Sequence, residues 1–212
     1  MSAAAGPVTT SAAAVRNADA PVQPNGQAGP PSRPDDVVAA PAAVTPQELR
    51  AAFGRFATGV TIVACRPPAG SPVGLTVNSF GSLSLDPPLV LWSLRSSSPA
   101  LPAFRAAPTF AINVLAESQV GLSRRFASKL PDKFAEGLWS AGAGGAPLLA
   151  GCAASFECER LSDQEAGDHV LFIGRVIGVA DAPVPPLVFQ AGHYRLLGDI
   201  LYAVVDPRIR YS

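Results

Sequence analysis

Apolar residues first fall into a regular pattern just after position 45. Leu49, Phe53 and Phe56 recur at i, i+4 and i+7, the spacing of one helix face. Thr45 ahead of them is a good N-cap, Pro46 takes the first helical position, and Glu48 completes a capping box. Gly59 is the expected stop. The period then changes. VTIVAC (60–65) is a β-branched strand, and RPPAGSPVG after it is a turn. VGLTVNSF and PLVLWSL read as strands meeting at the Pro87-Pro88 corner, and TFAINVL (109–115) as another. SQVGLSRRFAS (118–128) reads as a short helix with Val120, Leu122 and Phe126 free to pack, while 137–156 reads as a loop and a strand. CAASFECERL (152–161) alternates in part. HVLFIGRVIGVA (169–180) is a long strand in which Gly174 and Gly178 suggest bends or bulges, and PLVFQAGHYRLLG closes the pattern. Strands separated by turns, with few helices, predict a mainly β antiparallel barrel over a parallel βαβ sheet.

Composition changes the picture at the N-terminus. Residues 1–45 hold no Phe, Tyr, Trp, Leu or Ile. Such a segment buries too little apolar surface to offset its ordering entropy, so a disordered tail is expected there and a single domain over 46–212. Lys+Arg and Asp+Glu balance at 16 each, which gives no electrostatic footprint for nucleic acid or an anionic membrane. Charged residues make up only 15%, so the fold must rest on apolar packing, which leaves room for an oligomer interface. The three scattered cysteines make neither a disulfide framework nor a Cys-x-x-Cys pattern, and two histidines are poor material for a zinc site. With no basic region leading into an apolar core at the N-terminus, a reducing cytoplasm is the expected compartment. The uncharged stretch 137–156 is rich in Gly, Ala and Ser and carries Pro147, so it does not read as a membrane span.

Three short stretches carry candidate chemistry. Thr76-Val77-Asn78-Ser79 sets small polar side chains into an otherwise apolar strand, followed by Ser82, Ser84 and an Asp-Pro-Pro corner. SLRSSSP (93–99) offers Arg95 with the hydroxyls of Ser96, Ser97 and Ser98 ahead of a short helix, a set suited to a phosphate or, more plainly, to a serine-rich turn. Gly167-Asp168-His169 opens the long strand. No GxGxxG, P-loop or GxSxG pattern is present, which removes the sequence support for a Rossmann or α/β-hydrolase reading.

In order along the chain, FATGVTIVA, PVGLTVNSFGSLSLDPPLVLWSL, FAINVLAESQVGLSRRFAS, DKF, GDHVLFIGRV and HYR resemble the short-chain NAD(P)H:flavin reductases with an FMN-binding split barrel. These are reductase components of two-component flavin monooxygenases. The resemblance covers about residues 46–200 and implies a homodimeric antiparallel split β-barrel. It implies hydride transfer from NADH or NADPH to FMN or FAD, and delivery of reduced flavin to a separate monooxygenase. It places Thr76, Val77, Asn78 and Ser79 against the flavin ring, whose pyrimidine edge needs matched donors and acceptors. It places the flavin phosphate or ribityl chain near Ser93, Arg95, Ser96 and Ser98, and Asn113, Val114 and Leu115 on a strand beside the flavin. Ser123, Arg125, Phe126 and Lys129 are implied around the phosphate or adenine end. His169, the catalytic candidate, falls at the nicotinamide site with Asp168 orienting it, where it can position the hydride donor or donate a proton. Tyr194 and Arg195 are implied on the nicotinamide side. Two other readings remain at this point: a split-barrel carrier or sensor that binds flavin without turnover, and a pyridoxamine-phosphate-type oxidase, for which the chain is poor in Arg and Lys.

Overall fold

The computed structural model describes residues 43–134, 137–142 and 144–199. The expected tail therefore lies outside the described residues except for 43–45, as do 135, 136, 143 and 200–212 of the expected domain.

The chain runs through α1 (Pro46–Phe53), β1 (Thr58–Gly59), β2 (Thr61–Cys65), β3 (Val73–Val77), β4 (Gly81–Leu85), β5 (Pro88–Arg95), α2 (Leu101–Ala106) and β6 (Thr109–Val114). A 3₁₀ turn (Glu117–Gln119) leads into α3 (Val120–Ala127). Then come β7 (Trp139–Ala141), β8 (Pro147–Leu149), β9 (Ala154–Ala166), β10 (His169–Asp181), β11 (Val188–Gln190) and β12 (His193–Arg195). The Thr45 capping box forms as expected. The helix ends at Phe53 with Gly54 as its cap, earlier than Gly59. Phe56 therefore lies beyond the helix, and neither aromatic is packed: Phe53 and Phe56 are 71% and 77% exposed. The helix is held instead by its caps and by a hydrogen bond from Ala191 N to the Gly54 carbonyl.

Seven strands form one antiparallel sheet in the order β3-β2-β6-β9-β10-β5-β4. Among the strands not foreseen from hydrophobic pattern are β4, β7 and β1, the last of which falls where the first helix was expected to reach Gly59. β4 is built of alternating Ser and Leu after the polar stretch, and β7 pairs with β8 where a loop and one strand were expected. The sheet curls, because β3 and the end of β5 sit across a shared groove although five sheet positions separate them. Ser79 closes that approach. Its Oγ donates to the Ser93 carbonyl and accepts from the Ser93 N–H, both at 3.0 Å. The result is the mainly β split barrel that the strand pattern and the resemblance implied.

Inside the curl, Trp92 stacks on Phe172 at 4.7 Å and meets the edges of Phe104 at 4.8 Å and Phe110 at 5.9 Å. Aromatic pairs of this kind add to the area they bury. Gly174 lies beside this cluster. A Cβ there would run into the Phe110 ring and come within 3.1 Å of the Cys158 Cβ. Register shifts fall at Ile173/Gly174 and Val176/Gly178, so both glycines mark irregularities as expected. A second cluster packs Val60, Ile62, Leu115, Phe126, Leu149 and Leu187 beneath α3.

Asn113 joins the layers. Fully buried, its Nδ2 donates to the carbonyls of Ile62 (3.1 Å) and Pro147 (3.2 Å), and its Oδ1 accepts from Leu149 N at 2.8 Å. One amide thus ties β6 to β2 and β8. Replacing Asn113 with Ala is expected to lower unfolding stability by about 2–3 kcal/mol, because buried backbone groups lose their partner. Urea unfolding of the two proteins checks this; equal midpoints would show that the amide holds nothing.

Candidate active site

The polar stretch after β3 faces a groove of about 480 Å³. One wall is Leu75, Thr76, Val77, Asn78 and Ser79; the other is Ser93, Leu94 and Arg95 from β5, then Ser97, Ser98 and Pro99, with His169 at the rim. The period-2 geometry of β3 explains the mixture, since alternate side chains turn to opposite sides of the strand. Thr76 Oγ1 donates to the Ser123 carbonyl at 2.7 Å, tying β3 to α3. Ser79 Oγ is engaged with Ser93. Asn78 differs: its amide is exposed and takes no hydrogen bond among the described residues. Of the three polar side chains, it is the one left to a ligand.

His169 opens β10 directly opposite Arg95. The β9–β10 turn is Gly167-Asp168, with Gly167 at φ +63, the left-handed conformation that a tight two-residue hairpin asks of its first central residue. The turn sets His169 Nδ1 2.7 Å from Asp168 Oδ1. The hydrogen bond from His169, with the charge of the imidazole behind it, holds the Asp168 carboxyl below the ordinary carboxylate value. With Nδ1–H given to the carboxylate, Nε2 is an acceptor in the neutral ring and a donor once protonated.

Two further hollows meet this groove at Thr76. One, of about 530 Å³, runs from the start of β3 past Ser98 to Phe126, Lys129, Lys133 and Phe134. Lys133 Nζ donates to the Phe126 carbonyl at 2.8 Å, and burial pulls its pKa down. The other, of about 210 Å³, lies between residues 76–78, Ser123, Phe189 and Tyr194. The Tyr194 hydroxyl is 2.9 Å from Ser123 Oγ, and the Arg124 guanidinium sits 5.9 Å above its ring.

The structure thus brings Thr76, Val77, Asn78, Ser79, Ser93, Arg95, Ser98 and His169 to one groove. Phe126 and Lys129 border the larger hollow, and Ser123 and Tyr194 the smaller. Other expected positions fall elsewhere. Ser96 turns its N–H to the Asp168 carbonyl (3.0 Å) and its hydroxyl to Glu165 (3.4 Å). Arg125 lines a separate hollow with Leu122 and Leu138 and donates to the Asp132 carbonyl at 3.3 Å. Asn113 is spent on framework hydrogen bonds, Leu115 is core, and Val114 lines none of the three hollows. Arg195 pairs with Val188 at the surface, also away from all three. Leu75 and Pro99 line the groove without having been singled out, since an apolar side chain in a strand or turn carries no chemical signal of its own.

A flavin would find matching features here. The groove volume lies within the range of small-molecule sites, about 300–1,000 Å³. The free Asn78 amide can serve both donors and acceptors of a pyrimidine edge, and Arg95 with the Ser97 and Ser98 hydroxyls can serve an anionic group.

A curled antiparallel sheet with a groove between its ends is a split-barrel arrangement. Residues 53–198 match the flavin reductase like domain, and the chain belongs to that family. It is 43% identical over 161 residues to the FMN reductase (NADH) SmoA of Agrobacterium fabrum, covering 76% of this chain and 91% of that protein. It is 45% identical over 168 residues to a probable flavin reductase of Rhizobium meliloti, covering 78% of this chain but only 54% of that longer protein. A solved NADH:FAD oxidoreductase of Streptomyces globisporus, in complex with NAD and FAD fragments, superposes with a TM-score of 0.68 at 38% identity, over 74% of this chain and 96% of that one.

The Asp168–His169 contact has a defined pH signature. A carboxyl held below its ordinary value keeps the contact as pH falls into the usual carboxylate range, and loses it only when pH falls through the depressed value. The Asp168 carboxyl carbon, followed by NMR, should titrate below an ordinary aspartate and return toward ordinary in His169→Ala. An unchanged titration in that variant would refute the contact.

Proposed function

We propose that this protein reduces FMN or FAD with NADH or NADPH and releases the reduced flavin to a separate monooxygenase. The observation that carries the reading is the groove, with a free amide on one wall, hydroxyls and a guanidinium on the other, and an imidazole at the rim. When bound there, the flavin supplies the electron-accepting N5 for hydride from the nicotinamide. What this chain supplies is placement. Asn78 and the backbone of residues 76–79 orient the ring plane. Arg95, Ser97 and Ser98 anchor the phosphate end. His169, aimed by Asp168, orients the nicotinamide, and its Nε2 can hold a proton for transfer. Holding donor and acceptor close is worth much of a hydride-transfer rate. Two relatives support the division of labour: proteins described as reductase components serve a trigonelline monooxygenase in Acinetobacter baylyi and a flavin-dependent monooxygenase in Rhodococcus jostii.

The same proposal includes a homodimer. Its support is the exposed apolar patch of Leu49 and Phe53 on α1 with Phe56 just beyond it, in a chain with only 15% charged residues. Among the described residues no helix is long and apolar enough to cross a membrane.

Purified protein mixed with flavin and reduced nicotinamide should consume absorbance at 340 nm in a flavin-dependent way, and His169→Ala should lower kcat/KM by about 10- to 100-fold. Loss of signal with both flavins and both nicotinamides would refute the reductase reading. Tight flavin binding without turnover, indifferent to His169→Ala, would mark a carrier instead. In sedimentation, Phe53→Asp with Phe56→Asp should turn a dimer into a monomer; a monomeric wild type would refute the dimer.

A further inference from the structure

We propose that Arg105 is a positioning residue that holds the hairpin carrying His169 against the wall of the groove. The proposal rests on the role given to His169 above. Its starting point is a gap in the sheet. β6 flanks β9 only from Ala154 to Glu159. Beyond Arg160, β9 pairs with β10 alone, and from 161 to 168 the hairpin is exposed apart from a half-buried Asp163. The β10 half of the arm stays paired with β5 as far as His169↔Arg95, so the loose element is the β9 edge, which is paired on one side only and can fray toward the turn. The tip is where Asp168 and His169 sit.

The open flank is occupied by the end of α2. Arg105 spreads its guanidinium across two carboxylates of the arm, with Nε 2.9 Å from Asp163 Oδ2 and Nη2 2.6 Å from Glu165 Oε1. Arg160 completes the junction. Its Nη1 is 3.1 Å from Asp163 Oδ1, and its Nε donates to the Ala107 carbonyl at the end of α2. A planar fork shared between two acids fixes direction as well as distance, which a single lysine contact would not.

The clamp also reaches the serine-rich segment of the β5 wall. Glu165 accepts from Ser96 Oγ at 3.4 Å, and Ser96 N donates to the Asp168 carbonyl at 3.0 Å. Ser96 itself does not line the groove, yet its neighbours Arg95, Ser97 and Ser98 do. Arg105 therefore acts through Glu165 on both the serine-rich segment and the His169 turn. An isolated exposed ion pair contributes little to stability. The expected effect of losing the clamp is local: a looser arm in a protein that still folds.

The experiment pairs amide hydrogen exchange on the full-length protein, without flavin, with steady-state kinetics. In Arg105→Ala, the amides of Ser96 and of 166–170 should exchange about tenfold faster, while those of β2 and β6 stay as in wild type. kcat for NADH oxidation should fall about tenfold, with a smaller rise in the KM for flavin because the serine-rich segment loosens along with the arm. Glu165→Gln, a change at an exposed side chain, should show the same pattern more weakly, and Arg105→Lys should recover part of the loss. Unchanged exchange in the arm overturns the clamp. Faster exchange with unchanged kcat overturns its positioning of His169. A wild type inactive with every flavin and nicotinamide overturns the reductase reading and with it the positioning role; the exchange data then report only whether Arg105 holds the arm.

Discussion

The groove depends on one hydroxyl meeting one peptide. Ser79 donates to and accepts from the backbone of Ser93, and so fastens the turn after β3 to β5. No ladder joins the first and the penultimate strands of the sheet, so this side-chain bond is what ties them directly. The aromatic cluster around Trp92 draws the sheet into a curl, but a nonpolar cluster has no preference for a particular register. Ser79 supplies the register, and with it the separation of the two walls that face each other across the groove.

The two walls have different physical characters. On the β3 side, Thr76 and Ser79 are satisfied within the chain and leave Asn78 as the unspent group. On the β5 side, Arg95 and Ser97 line the groove and are exposed, a guanidinium and a hydroxyl suited to an anionic group. His169 stands at the rim, with one nitrogen committed to Asp168 and the other open. A polar group already bound inside the protein makes a rigid wall, and one that is unbound makes a contact. The arrangement separates these duties residue by residue.

Much of this was legible in the chain. The Thr45 capping box, the bulges at Gly174 and Gly178 and the Gly167 turn all follow from local rules, because each needs only neighbouring residues. The polar stretch of residues 76–79 was readable as a wall because its polarity conflicts with its strand pattern. Asn113 produced the same conflict and has a different cause: its partners at Ile62, Pro147 and Leu149 come from distant segments that no local pattern reveals. Arg125 and Arg195 show the same limit for charge, since a basic side chain near a motif can turn either way from its helix or strand. β4 was hidden because alternating Ser and Leu after a polar stretch reads equally well as a turn.

Thr76 borders all three hollows. The consequence concerns traffic. Asn78, Arg95, Ser97 and Pro99 along the groove are exposed, so a molecule seated there keeps one flank in water. Among the described residues, nothing covers that flank. Strength of grip is exchanged for speed of release.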